Sequence, residues 1–64
     1  MINNKDNPVE WALMLYELSD AGEHMENLLK QMKQDGKIDE ENFKIQLDHI
    51  YSHLNNAWTS RNRL

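Results

Sequence analysis

The sequence predicts an all-α fold: an antiparallel two-helix hairpin that dimerises into a four-helix bundle. Three observations support this prediction. Apolar residues recur at alternating intervals of four and three in two long segments, which is the spacing of helices packed side by side. The pair Asp35-Gly36 separates the two segments with residues that end a helix. The chain has only 64 residues, so two helices alone cannot enclose a large core.

The first helix is expected over residues 8–35. Asn7 is a suitable N-cap, Pro8 suits the first helical position, and Glu10 stands where a capping box places its carboxylate. A stripe at intervals of four and three then predicts the contact line with the second helix. The residues of this stripe are Trp11, Leu15, Leu18, Gly22, Met25, Leu29 and Met32, with Met14, Ala21 and Leu28 beside it.

A turn is expected at residues 36–38 and a second helix at about 39–61. Gly36 can adopt the left-handed conformation that caps a helix, and Asp39 is a suitable N-cap for the next one. Because the connection is so short, the second helix must run antiparallel to the first. Its predicted contact residues are Phe43, Leu47, Ile50, Leu54 and Ala57.

Both apolar stripes are wider than a contact between two helices can bury. A chain of this length forms one domain, residues 1–64, and buries only about 60% of the surface that its unfolded form exposes. It has no cysteine, so disulfides cannot supplement the core. We therefore expect a second copy to cover the surplus, which predicts a homodimer.

Composition restricts the classes of function. A net charge of −4 and a pI near 5.1 disfavour binding to nucleic acid or anionic lipid. The sequence lacks an apolar signal region and a run long enough to span a bilayer, which predicts a soluble, cytoplasmic protein. It also lacks a nucleophile motif and a phosphate-binding loop, so we expect no enzyme activity and no cofactor.

The predicted function is therefore a small protein-protein interaction or regulatory module. Val9, Leu13 and Tyr16 lie on the side of helix 1 opposite the apolar stripe, so pairing with helix 2 leaves them unassigned. Trp11 and Trp58 lie toward the open end of the hairpin, and tryptophan is common in binding hot spots. These five residues are the predicted surface for another protein, whose identity the sequence does not give.

A metal-binding dimer is the alternative. His49 and His53 are four residues apart on helix 2, as are Asp20 and His24 on helix 1, and that spacing lets two side chains share a metal. Measured from the apolar stripe, however, these residues fall at the edge of the core or on the solvent face. The expectation is therefore no metal, with these four residues as the candidate ligands if one binds. A nucleic-acid-binding four-helix dimer is a further alternative, by analogy of fold only.

Overall fold

The computed structural model of the chain describes residues 1–61, which form two helices packed against each other. Helix α1 spans Pro8–Asp35 and helix α2 spans Glu40–Ser60. Gln31 bonds to Gln46 near the turn and Glu17 to His53 further from it, so the helices run antiparallel. The all-α hairpin is thus confirmed, and it measures 45 × 18 × 14 Å.

The start of α1 differs in part from its prediction. Asn7 is the N-cap, and its carbonyl accepts from the Trp11 amide at 2.8 Å, but its side chain makes no capping hydrogen bond. The predicted capping role of this side chain is therefore wrong. Asn7 has φ −130° and ψ 59°, which is not the usual N-cap conformation. A turn before the helix sets this geometry, because the Asn3 side chain accepts from the Asp6 amide at 2.7 Å and the Asn3 carbonyl accepts from the Asn7 amide at 3.0 Å.

The connection between the helices caps both of them, through Gly36 at the end of α1 and Asp39 at the start of α2. Gly36 has a φ of +65°, and its amide donates to the Met32 carbonyl at 2.9 Å, which satisfies one of the last carbonyls of α1. The Asp39 carboxylate accepts from the Asn42 amide at 3.1 Å and so caps α2. Ile38 packs against the core from within the connection.

The line along which the helices touch is not the predicted stripe of α1. The buried residues are Ala21 and Leu28 on α1, at 0% and 6% exposure, with Ile50 and Ala57 on α2. Most of the predicted stripe is instead 37–55% exposed: Leu15, Leu18, Met25, Leu29 and Met32. The prediction assumed that the most apolar line faces α2, whereas in the structure that line faces partly away from it.

Polar side chains occupy the rest of the contact. Gln46 Nε2 donates to Gln31 Oε1 of the opposite helix at 3.1 Å and to Asn42 Oδ1 at 3.2 Å. Glu17 and His53 also meet across the contact, at 2.8 Å. The two helices are therefore joined by alternating apolar and polar layers. In residues 1–61, neither helix has a segment long and apolar enough to cross a membrane.

Candidate functional site

One side of the hairpin is a continuous apolar surface, which we call the apolar face. It consists of exposed or half-buried residues from both helices: Leu15, Leu18, Met25, Leu29 and Met32 of α1, with Leu47, Leu54 and Trp58 of α2. At 100° per residue, the members on each helix lie on the same side of its buried line. These eight side chains are all uncharged, and at the open end of the face the guanidinium of Arg61 lies over Trp58.

Two grooves mark the apolar face. The groove nearer the turn runs between the helices and is lined by apolar residues alone: Met25, Leu28, Leu29, Met32, Phe43, Leu47 and Ile50. The groove nearer the open end is lined by Trp11, Met14, Leu15 and Leu18. Because buried residues such as Leu28 and Ile50 form the floor of the first groove, an occupant would contact the core itself.

The hairpin exposes more surface than a compact protein of its size. Its accessible area is 5338 Å², whereas a compact monomer of 7.6 kDa is expected to expose about 4,300 Å². The surplus of about 1,000 Å² is comparable to the ~800 Å² that each partner buries in a standard interface. Its radius of gyration is 14.6 Å, against about 11 Å expected for a compact chain of this length.

The five residues predicted to bind a partner lie on two separate surfaces. Trp11 lines the groove at the open end, and Trp58 is exposed on the apolar face. The Arg61 guanidinium lies 3.4 Å from the centre of the Trp58 ring and donates to the Trp58 carbonyl at 2.6 Å. This contact covers one side of the indole, so Trp58 is held in place although it is exposed.

The other three predicted residues lie on the opposite side of α1. Val9 and Tyr16 are exposed, while Leu13 is half-buried. At 100° per residue, this group points away from the apolar face. The structure therefore separates it from Trp11 and Trp58, and its role in binding stays a prediction.

Three of the four candidate metal ligands meet at the helix contact. His24 of α1 and His49 and His53 of α2 form a cluster in which one ligand nitrogen from each ring lies within 4.8 Å of the other two. The ring centres are 4.2 Å apart for His24 and His49, 5.0 Å for His49 and His53, and 5.3 Å for His24 and His53. We call these three residues the histidine cluster. Asp20 is not part of it.

Glu17 is the residue of this site that the sequence did not indicate. Its Oε2 lies 2.8 Å from Nδ1 of His53, and both side chains are only 17% exposed. The signal was available, because Glu17 precedes His24 by seven residues and therefore lies on the same side of α1. A contact line on the apolar stripe, however, leaves Glu17 outside the predicted contact.

The described residues thus offer two features that can carry a function, the apolar face and the histidine cluster. They lie on opposite flanks of the helix contact, so each can be tested without the other. Comparison with protein-family models, with curated proteins and with solved structures finds no match to this chain.

Proposed function

We propose that this chain is a non-enzymatic interaction module that works as a homodimer, in which two hairpins pair through their apolar faces into a four-helix bundle. The observation that supports the proposal most directly is the apolar face itself. Its five α1 side chains are 37–55% exposed although they are among the most apolar of the chain. A second hairpin that covers these side chains would bury the apolar surface that the single hairpin leaves exposed.

The two flanks of each helix differ in a way that favours this arrangement. The flank of α1 that contacts α2 is polar at every seventh residue, at Glu17, His24 and Gln31. The other flank carries Leu15, Gly22 and Leu29. In a four-helix bundle each helix has a neighbour on both flanks. The flank without a neighbour in the hairpin is thus the more apolar one, as a second hairpin would require.

A second copy is the occupant that best fits this surface. The accessible area of the whole chain exceeds that of a compact monomer by about 1,000 Å², an excess of the size that each half of a stable dimer buries. A two-fold axis would place the same face of both copies together, so that the apolar side chains of one copy meet those of the other. Gly22 lies within this surface, and nothing stands within 4 Å of the position of a Cβ there, which leaves space for a neighbouring helix.

The outer side of α1 stays accessible in this arrangement. Val9 and Tyr16 point away from the apolar face and are exposed in the hairpin. In the proposed dimer they form the surface at which a further protein binds. Substitution of Tyr16 by alanine is accordingly expected to leave the dimer unchanged in sedimentation.

The test of the dimer is sedimentation velocity over a concentration series, with Leu18→Glu as the disrupting variant. Leu18 is 49% exposed on the apolar face, and a buried unpaired carboxylate at a dimer contact is strongly unfavourable. We expect the unchanged chain to sediment as a dimer and the variant as a monomer. Ile45→Glu is the matched control, since Ile45 is 61% exposed on the opposite flank of α2 and its substitution should leave the dimer intact.

A measurement on the unchanged chain covers the case in which the variant fails to fold. A protein that gains stability by dimerisation unfolds at a higher temperature when its concentration rises. We therefore expect the thermal midpoint to increase with concentration. A midpoint independent of concentration, together with monomeric sedimentation, would refute the proposal.

A further inference from the structure

We propose that His24, His49 and His53 bind one zinc ion per chain within the hairpin, with Glu17 orienting His53. This site is separate from the proposed dimer contact, because it lies on the polar flank, where α1 and α2 of the same chain already meet. The cluster combines ligands from both helices, so a bound metal would join α1 to α2.

The distances fit a site that closes on a metal. Zinc binds imidazole nitrogen at about 2.0–2.1 Å, which places the nitrogens of a tetrahedral site roughly 3.3 Å apart. The three nitrogens of the cluster lie within 4.8 Å of one another. They need to approach by at most about 1.5 Å, which is within the reach of side-chain rotation without a change in the helices.

Glu17 supplies the second contact that metal-binding histidines usually make. Its Oε2 is 2.8 Å from Nδ1 of His53, so Nδ1 donates its hydrogen to the carboxylate. The lone pair of His53 is then on Nε2, the nitrogen left for a metal. The carboxylate also brings a negative charge next to the three imidazole rings, which favours a cation at their centre.

The polar layer nearer the turn differs from the histidine layer in its hydrogen bonds. Gln46 there donates to both Gln31 and Asn42, so the layer is held by direct hydrogen bonds. In the histidine layer only His53 has such a partner, and within residues 1–61 the side chains of His24 and His49 form no hydrogen bond. The nitrogens of these three rings lie close enough together to share one ligand.

The donor set selects the class of metal. Imidazole ligands suit zinc, copper and nickel, whereas magnesium and calcium require oxygen ligands. Three protein nitrogens leave a fourth tetrahedral position for water. His49 is exposed at the edge of the cluster, so this position can be reached from solvent.

Isothermal titration of the untagged, full chain with zinc chloride tests the site. We expect one zinc per chain, and a higher thermal midpoint with zinc than with EDTA. Replacing a ligand in His24→Gln or His53→Gln should weaken binding by more than roughly 100-fold. Glu17→Gln, which keeps the shape of the side chain, should weaken it about 10- to 100-fold, as is usual for residues that orient a ligand.

Asp20→Asn is the matched control. Asp20 is on the same helix, four residues before His24, but is not part of the cluster, so this variant should bind zinc as the unchanged chain does. Circular dichroism of each variant checks that the helices remain. Titration with cobalt adds a readout that is independent of affinity, because tetrahedral coordination gives visible absorption bands of much higher intensity than octahedral coordination.

Three outcomes would overturn the proposal. The first is no zinc binding by the unchanged chain. The second is binding that His24→Gln leaves intact, since this would show that the pair His49 and His53 on α2 acts alone. The third is one zinc per two chains, which would place the metal between copies. Because Leu18→Glu removes the dimer contact and leaves the cluster, a monomeric variant that still binds one zinc would separate the two proposals.

Discussion

Leu28 and Leu29 are adjacent in sequence, and truncating each to alanine should affect different equilibria. Leu28 is 6% exposed and belongs to the core within the hairpin. Leu28→Ala is expected to cost 2–5 kcal/mol, from lost burial and the cavity that remains. At roughly 0.1 kcal/mol per residue, a chain of this length is stabilised by about 6 kcal/mol, so a third or more of its stability would be lost.

Leu29→Ala should act mainly on dimerisation. Removing three carbons from a fully buried leucine costs about 2.4 kcal/mol at 0.8 kcal/mol per carbon. Leu29 is 55% exposed in the hairpin. If the second copy covers it, about 1.3 kcal/mol per copy belongs to the dimer contact, or about 2.6 kcal/mol for two copies. The dissociation constant of the dimer should then rise roughly 70-fold.

Sedimentation velocity and chemical denaturation, each at several protein concentrations, separate the two effects. Leu28→Ala should lower the unfolding midpoint at every concentration. Leu29→Ala should lower it most at high concentration, where the unchanged chain is expected to be dimeric, and should shift the sedimentation isotherm. Equal losses at all concentrations for both variants would show that Leu29 is ordinary core and that the apolar face has no second copy on it.

Two further pairs of variants test the local structure by thermal or chemical denaturation. Asp39→Ala should destabilise the chain by about 1 kcal/mol, because the aspartate caps the Asn42 amide, whereas Asn7→Ala should cost less, because the Asn7 side chain makes no capping bond. Equal losses would contradict this difference. Gly36→Ala should cost about 1–2 kcal/mol through its positive φ, while Gly22→Ala should stabilise the monomer by about 1 kcal/mol. A destabilising Gly22→Ala in the unchanged background, but not in the Leu18→Glu background, would show that a second chain packs closely at Gly22.

Local chemistry made the hairpin predictable. Gly36 ends α1 and Asp39 begins α2, as predicted. These ends could be predicted because a helix cap acts on residues only three or four positions away. The antiparallel pairing followed from the shortness of the connection. The capping box of Asn7 and Glu10 did not form, since the turn formed by Asn3 and Asp6 changes the backbone angles of Asn7, and the Asn7 amide donates to the Asn3 carbonyl instead.

The rotation of the helices about their own axes was not predictable in the same way. Hydrophobic periodicity identifies the most apolar line of a helix, and the simplest expectation is that this line faces α2. In the structure the line through Ala21 and Leu28 faces α2, and the line through Leu15 and Leu29 does not. Periodicity does not reveal how many neighbours share an apolar stripe, so the direction toward any one of them stays ambiguous.

The position of the helix contact also decides whether the three histidines can meet. Measured from the apolar stripe, His49 and His53 fall at the edge of the core or on the solvent face, which argues against a site shared with His24. Turning the contact line toward the polar flank brings all three together and adds Glu17. The spacing of four residues was a correct observation, but the site depends on which flank the helices share.

The polarity of the helix contact and the apolar face have one common explanation in the proposed dimer. A two-helix contact that has to stabilise the chain alone would be expected to use its most apolar side chains, yet this contact contains Glu17, Gln31 and Gln46. Such layers cost stability in isolation, but they fix register, because each polar group must meet its partner. If a second hairpin supplies the apolar burial, the contact between α1 and α2 does not have to supply it. Its polar residues can then fix the register of the two helices and bind a metal. Substituting Gln46 by leucine should then leave the dimer stable, and it should loosen the register that brings His24 to His53.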